Sequence, residues 1–259
     1  MSYSFLNPDP QTSFKAGVVR PFECLSEGWQ LVKTQYWLFV FLSLIILILA
    51  SCIPFAGIIW GAWIAGIYLA LFARMRGESV SFNFVGKGFE YFGPAFLVAF
   101  LSNLAFIVVG IGLKIFEDWD EQVTKTYGDS VPDDVLLQQV SFLGLLALIY
   151  LISFIVSGLI FAFAYQLVVD KKMSGWEATK LSARAARENF GGVFGLLLLE
   201  VVLSVAGLML CCVGLALVLP IMKGAWAAAY ARVFSVPMAP SLPPLSPPPP
   251  PSFGNYSTT

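Results

Sequence analysis

Long stretches without a charged residue dominate the hydrophobic pattern of this chain. Four of them exceed twenty residues: 34–73, 91–113, 135–169 and 189–231, the last interrupted only by Glu200 and Lys223. A helix of about 20 apolar residues crosses the hydrocarbon core of a bilayer, and a charged side chain inside that core is costly. The pattern therefore predicts membrane-spanning helices in all four stretches.

Two of these stretches are long enough for a helical hairpin. The first has 40 residues, with Pro54 and Gly57 near its middle, and the last has 43, with Gly207 and Gly214 near its middle. Proline and glycine interrupt helices and favour tight turns. The third stretch lacks such a turn and predicts one long or tilted helix. Six spans are predicted, at about 37–52, 55–73, 93–113, 140–168, 190–210 and 213–232.

The three pairs of spans resemble one unit repeated three times. Each unit begins with a polar stretch opened by an aromatic residue, at Phe22, Phe82 and Trp176. The second span of each unit ends in a similar sequence, LFAR at 71–74, AYQL at 164–167 and AYAR at 229–232. Two spans per unit return the chain to the same side, which makes the repeats parallel. The predicted fold is an all-α integral membrane protein, with six transmembrane helices arranged as three parallel hairpin repeats within residues 21–234.

The distribution of lysine and arginine predicts the orientation of the protein. Twelve of the 15 basic residues lie on the side that holds both termini, and only Lys114 and Lys125 lie on the other. Basic residues are enriched in cytoplasmic loops. We therefore expect a plasma (inner) membrane protein with both termini in the cytoplasm.

Residues 117–139 form the large outer loop in this topology. The loop carries seven acidic residues against Lys125. Their spacing is not that of a calcium-binding loop. We expect a solvated, partly helical acidic loop.

The cytoplasmic starts of the three units are amphipathic and predict interfacial helices. In the third, Ser174 and Glu177 form the S-x-x-E capping box of a helix start. A basic face is expected to meet anionic headgroups, and an apolar face to meet lipid. The basic face comprises Lys180, Arg184 and Arg187, and the apolar face Trp176, Leu181 and Ala185. The alternative is a cytoplasmic extension packed on the bundle.

The amino-acid composition is typical of a membrane protein and argues against several kinds of function. Of 259 residues, 58% are apolar and 12% charged, and the mean hydropathy is +0.80, outside the usual balance of a soluble domain. Histidine, the commonest general base and metal ligand, is absent, and the net charge of -1 gives no basic excess. We expect no metal, no cofactor and no nucleic-acid partner.

Glu200 and Lys223 are the sharpest candidate for function. They lie eleven residues before and ten residues after the predicted turn at 211–213, which places both about 15 Å from the outer end of antiparallel helices. They are therefore expected to pair, either as a structural ion pair or as a substrate or proton site. Pro220 would kink the same helix and free a carbonyl. Asn103 is either a polar contact between helices or part of a cavity lining.

Three cysteines fall at the outer ends of the two tight hairpins. In an oxidising compartment, Cys52 could form a disulfide with Cys211 or Cys212. The alternative is that cysteine serves there as a small apolar residue.

Both ends of the chain are predicted to be disordered and cytoplasmic. Residues 1–20 precede the first amphipathic stretch, and residues 235–259 hold nine of the 16 prolines. Such a tail forms polyproline-II segments rather than a packed element. Residues 240–243 match P-x-x-P, so the tail is either a docking segment for a proline-binding protein or a plain tail.

The final hairpin carries small and aromatic residues in a distinctive order: Trp176-Glu177-Ala178, Ser182, Asn189-Phe190, Gly207, Gly214, Pro220 and Ala229-Tyr230. In these positions the chain resembles bacterial multi-pass membrane proteins, many uncharacterised, that are related to the membrane domain of glycerophosphoryl diester phosphodiesterases. The resemblance implies a helical membrane fold. The sequence shows no counterpart of the catalytic domain of such fusions, so the resemblance implies no phosphodiesterase activity.

These observations favour a membrane protein without catalysis, because the sequence offers no nucleophile paired with a base. We expect a structural or assembly component of the cell envelope. The alternative is a transporter or permeation protein for a small solute or lipid that uses Glu200 and Lys223. Transport requires a polar cavity that reaches Glu200, whereas a sealed bundle fits the structural role.

Overall fold

Throughout its described part, the chain folds into helices joined by short turns. A computed structural model describes residues 12–52, 56–128, 130–210 and 213–237. Its α-helices are α1 Pro21–Val32, α2 Tyr36–Cys52, α3 Ala56–Met75, α4 Asn83–Lys87, α5 Phe92–Tyr127, α6 Asp133–Ile160, α7 Ala164–Asp170, α8 Gly175–Glu188, α9 Phe190–Met209 and α10 Val213–Phe234. The turns predicted within the first and the last hairpin fall partly on residues 53–55 and 211–212, outside the described residues.

Four helices are long and apolar enough to cross a membrane. They are Asn83–Leu104, Asp133–Asp170, Phe190–Met209 and Gly214–Phe234, and a shorter apolar helix covers Ile59–Met75. Their composition is compatible with a membrane protein, because about 20 apolar residues match the hydrocarbon thickness. The prediction of an all-helical chain is confirmed for the described residues, which include four candidate membrane-spanning helices.

Helices α3, α7 and α10 lie at the centre of the bundle. Helix α3 packs against both α7 and α10, and 67% of the apolar window of Gly214–Phe234 is buried, against 6% for Asp133–Asp170. Helices α5 and α6 instead expose many large aliphatic side chains, such as Val108 and Leu151. An exposed apolar surface of this extent is costly in water but suits lipid tails. The central helices therefore form the protein core, and α5 and α6 present a lipid-compatible surface.

The three short helices α1, α4 and α8 each pack on one of the central helices. Helix α1 lies along α10, α4 and the following 3₁₀ turn lie on α3, and α8 lies on α7 and also contacts α5 and α6. Glycine allows two of these close approaches. An added Cβ would lie 2.3 Å from the Ala225 backbone nitrogen at Gly28, and 2.2 Å from the Ala62 carbonyl oxygen at Gly88. The backbones therefore touch directly at both crossings.

The segment predicted as an acidic outer loop is largely helical. Helix α5 continues to Tyr127 and α6 begins at Asp133, so only residues 128–132 connect them. Pairs between Lys114 and Glu117 and between Glu121 and Lys125 support the helix at spacings of three and four residues. The segment 117–139, predicted as a partly helical loop, is thus mostly helical and forms the end of a helical hairpin.

The two arms of this hairpin also contact each other. The Gln139 amide donates to an Asp120 carboxylate oxygen at 3.1 Å, and Trp119 packs edge-on against Phe142. These contacts hold the extended helices together beyond their apolar segments.

The span predicted over 140–168 is interrupted. Helix α6 ends at Ile160, a turn follows at 161–163, and α7 begins at Ala164. The Phe163 N–H donates to the Ser182 hydroxyl of α8 at 2.9 Å. The Ser182 side chain, from a helix that follows later in the sequence, therefore replaces a helical hydrogen bond. Residues 161–163 include no proline or glycine that would have predicted the break.

Helix α8 is packed on the bundle by the face that was expected to meet lipid. Leu181 and Ala185 are buried, whereas Trp176 is 54% exposed. The assignment of Leu181 and Ala185 to a lipid-facing surface is corrected, because both fill the space against the protein core. The predicted cap does form, since the Glu177 N–H donates to the Ser174 hydroxyl at 3.3 Å.

Candidate functional site

Glu200 and Lys223 meet across the α9–α10 hairpin. The Lys223 ammonium nitrogen lies 3.4 Å from Glu200 Oε1. The matched depth estimated from the sequence is thus realised as a contact. The separation is longer than the 2.7–2.9 Å typical of a charge-assisted hydrogen bond, so the pair is loosely closed.

Trp226 is a third member of this group that sequence analysis missed. Its indole N–H donates to Glu200 Oε2 at 2.8 Å. Trp226 follows Lys223 by three residues and therefore shares its face of α10. That spacing was the available signal. Each oxygen of the Glu200 carboxylate thus faces a donor on the same helix.

A cavity of about 250 Å³ opens beside this group. All three central helices line it, together with α2, α6, α9 and the turn between α6 and α7. Its polar lining residues are Ser43, Tyr68, Ser157, Tyr165, Glu200 and Lys223, and its larger aromatic ones are Trp60, Phe161 and Trp226. The arrangement combines a few polar groups with aromatic walls, as is common in sites for small ligands.

The ion pair is not sealed inside the protein. The side chains of Glu200 and Lys223 retain 21% and 22% of their exposure, and both line the cavity. An intramembrane charge is tolerated where it has a partner or borders a polar cavity, and here both conditions hold. A ligand that enters the cavity can therefore reach both charges.

Two helix irregularities lie at the cavity wall. Pro220 in α10 cannot donate a backbone hydrogen bond, and its neighbour Leu219 lines the cavity. One turn earlier, the Tyr36 hydroxyl donates to the Leu217 carbonyl oxygen at 2.8 Å. The break at 161–163 contributes Phe161 to the same wall. In membrane proteins, interrupted helices are found where they border a cavity or are buried in protein.

Asn103 does not contribute to this lining. Its amide donates to the Ala99 carbonyl oxygen of its own helix at 2.7 Å, and the residue is exposed on the outer face of α5. Ser157 approaches the same part of α5 from α6, donating to the Ser102 carbonyl oxygen at 3.0 Å, and does line the cavity. The cavity lining therefore includes Ser157 of α6 instead of the expected Asn103 of α5.

The predicted disulfide lies beyond what the structure describes. Cys211 and Cys212 are outside the described residues, and the Cys52 side chain is outside them as well. Cys24 is a free, buried thiol between α1 and α10. Burial raises the pKa of this thiol, and a backbone hydrogen bond to Arg20 opposes the shift.

The predicted basic face of α8 is exposed. Lys180, Arg184 and Arg187 point away from the core, and the Lys180 ammonium lies 5.3 Å from the centre of the Trp176 ring. This surface joins an exposed aromatic side chain to three cations.

Within the described residues, no group of three or more acidic, cysteine or histidine side chains is placed to hold a metal ion. Comparisons with protein-family models, with curated proteins and with solved structures found no match to this chain. The geometry of the cavity is therefore the main indication of function.

Proposed function

We propose that this chain is a six-span membrane protein that binds a small solute or lipid group in its central cavity and permits its passage. The observation that carries the proposal is the cavity of about 250 Å³ onto which the Glu200–Lys223 pair opens. A purely structural pair gains nothing from an adjacent cavity, because voids forfeit packing contacts. Transport is therefore favoured over the structural or assembly role, which becomes the second candidate.

The six spans comprise the four long apolar helices together with α2 and α3. In this arrangement α2–α3, α5–α7 and α9–α10 are the three parallel hairpin repeats, with α3, α7 and α10 as their second spans. Both termini lie in the cytoplasm of a plasma-membrane protein, on the side rich in lysine and arginine. The basic face of α8 then contacts anionic headgroups, and the proline-rich tail is free to dock a partner.

The packing of the three short helices supports a threefold repeat. Gly28, Gly88 and Ser182 each lie six residues after the aromatic residue that opens their unit. Gly88 contacts α3 of the preceding unit, and Ser182 contacts Phe163 at the start of α7 of the preceding unit. Gly28 closes the ring by contacting α10 of the last unit. A cyclic order of this kind places one central helix of each unit around the cavity.

The second candidate is supported by the hydrogen bonds around Glu200. Trp226 and Lys223 together connect α10 to α9 through one carboxylate. These bonds link the two helices of the hairpin, and removing either Lys223 or Glu200 would leave the other charge without its partner. The two candidates differ in whether water and solutes reach the cavity in a membrane.

Accessibility of Ser157 tests the proposal. A single cysteine is introduced by Ser157→Cys in full-length protein whose four native cysteines are replaced by alanine, and the protein is reconstituted in vesicles. A charged methanethiosulfonate reagent should modify it, because Ser157 lines the cavity. The matched control is Val108→Cys on the outer face of α5, where the residue is 60% exposed; in the proposed orientation it faces lipid and should resist a charged reagent. An unreactive Ser157→Cys would refute passage and favour the structural role.

A further inference from the structure

We propose that the cavity recognises a small zwitterion, a molecule with an ammonium group and a separate phosphate or carboxylate group. The chemistry is shared by a free solute and by the headgroup of a zwitterionic lipid. The inference depends on the proposed function, because it requires that ligands enter the cavity. It adds the class of ligand, which the size and charge of the site define.

The charge of the site favours a ligand with no net charge. Glu200 and Lys223 neutralise each other at 3.4 Å. A ligand with one charge would leave an uncompensated charge in a site of low dielectric constant, which is costly. A zwitterion supplies an anion for Lys223 and an ammonium for Glu200, so every charge keeps a partner.

The geometry of the pair favours its replacement by a ligand. At 3.4 Å the pair lacks the short contact of a strong charge-assisted hydrogen bond, and a zwitterion that parts the two groups supplies a new partner to each charge. Trp226 holds Glu200 through Oε2, which leaves Oε1 directed toward Lys223 and the cavity. The carboxylate is therefore fixed before an ammonium arrives.

The lining contains two kinds of group that match the two ends of a zwitterion. Trp60, Phe161 and Trp226 provide aromatic faces of the kind that attract an ammonium group. Tyr68 and Tyr165 provide hydroxyl groups that can donate to a phosphate or carboxylate. An apolar solute would use neither these hydroxyl groups nor the two charges.

The volume limits the size of the ligand. A cavity of about 250 Å³ is smaller than the roughly 300–1,000 Å³ of sites for drug-sized ligands. A complete two-chain lipid does not fit inside it. The occupant is therefore a free zwitterion of headgroup size, or a lipid headgroup whose acyl chains remain outside.

Protection of Ser157→Cys from the charged thiol reagent tests the inference. The probes are glycerophosphoethanolamine, which is zwitterionic, ethanolamine, which has only the ammonium, and glycerophosphoglycerol, which has only the phosphate. In phosphatidylglycerol vesicles we expect the zwitterion to slow modification at least tenfold at a concentration where the other two have no effect. Equal protection by a single-charge probe, or no protection by any probe, would overturn the inference. In either case modification of Ser157→Cys itself would leave the proposed function standing.

The source of the zwitterion is distinguished by the lipid. Vesicles in which half of the lipid is phosphatidylethanolamine should protect Ser157→Cys without any free probe if the ligand is a lipid headgroup. Continued modification there, with protection by free glycerophosphoethanolamine, assigns a soluble ligand. Both results support the zwitterion class.

Charge variants complete the test. Lys223→Met and Glu200→Gln should each raise the probe concentration needed for half-protection at least tenfold, whereas Glu90→Gln, an exposed carboxylate outside the cavity, should not change it. Because a single unpaired charge can impair folding, the double variant Glu200→Gln with Lys223→Met is measured in parallel. Retained zwitterion protection in the double variant would overturn the inference.

Discussion

The crossing of α1 and α10 at Gly28 gives a quantitative test of how the bundle closes. The change is Gly28→Ala. The added Cβ would lie 2.3 Å from the Ala225 nitrogen and 2.6 Å from the Gly224 carbonyl carbon. Both neighbours are backbone atoms, so no side chain can rotate away. Helix α1 must then move by about 1 Å to restore ordinary contact.

The magnitude follows from two opposing effects. Overpacking of this kind costs typically about 1–3 kcal/mol, and a backbone neighbour favours the upper half of that range. Alanine stabilises a helix interior relative to glycine by about 0.5–1 kcal/mol. We therefore expect Gly28→Ala to lower the free energy of unfolding by about 1–2.5 kcal/mol.

The control is Gly144→Ala in the middle of α6. An added Cβ there meets no atom within 4 Å, so only the gain in helix propensity remains. Both variants are unfolded with sodium dodecyl sulfate in bicelles, and the loss of structure is followed by tryptophan fluorescence. Gly144→Ala should match or exceed the parent protein. If Gly28→Ala were as stable as Gly144→Ala, the direct backbone contact between α1 and α10 would be refuted.

Three further predictions concern other parts of the molecule. Ser182→Ala should lower the free energy of unfolding by about 1–3 kcal/mol, because it leaves the buried Phe163 N–H without its acceptor. The Cys24 thiol should react slowly with N-ethylmaleimide, in a protein whose other cysteines are alanine, because burial raises its pKa from 9.0. The stabilising effect of the neutral Cys24 thiol is complete below pH 9.0 and is lost as the pH rises through the higher folded-state pKa. A maleimide label at Asp129→Cys should be reached from outside intact cells, whereas one at Ser246→Cys should not.

Each of these predictions has a matched comparison. Ser141→Ala removes an exposed hydroxyl that bonds only to its own helix, so it should change stability far less than Ser182→Ala. Equal effects would mean that the turn between α6 and α7 does not depend on α8. Cys24 should become reactive in Gly28→Ala if the α1–α10 contact opens, and unchanged reactivity would contradict that link. Labelling of Ser246→Cys alone from outside would reverse the proposed orientation.

The one-dimensional distribution of charge was enough to locate most helices. The predicted segments 190–210 and 213–232 compare with α9 at Phe190–Met209 and α10 at Val213–Phe234. A charge in hydrocarbon is costly unless it has a partner or borders a polar cavity, so most spans can be located from the absence of charged residues in the sequence. The sequence also predicted that Glu200 and Lys223 lie at matched distances from the turn of their hairpin, because rise along a helix depends only on residue number.

The distribution of charged residues did not predict local structure that depends on contacts with neighbouring helices. The break at 161–163 depends on Ser182, which is distant in sequence, accepting a hydrogen bond. Helix α5 continues through an acidic segment because its charges pair along the helix and because Trp119 meets Phe142 of α6. Neither Ser182 nor Phe142 can be identified from the sequence of the segment that it contacts.

The cavity is a product of the tertiary structure. Glu200 and Lys223 were predicted to meet because a tight hairpin joins their helices, but Trp60, Tyr68 and Tyr165 come from segments that no local pattern connects to them. Hydrophobic periodicity does not specify which faces of several nearly uniformly apolar helices turn inward. The sequence by itself determined the positions of the apolar helices, the matched positions of Glu200 and Lys223 along them, and the uneven distribution of lysine and arginine. The helix positions follow from the cost of charge in lipid. Packing alone decided which polar groups share one space, because that depends on the close fit of glycine crossings and on helices bent at their interruptions.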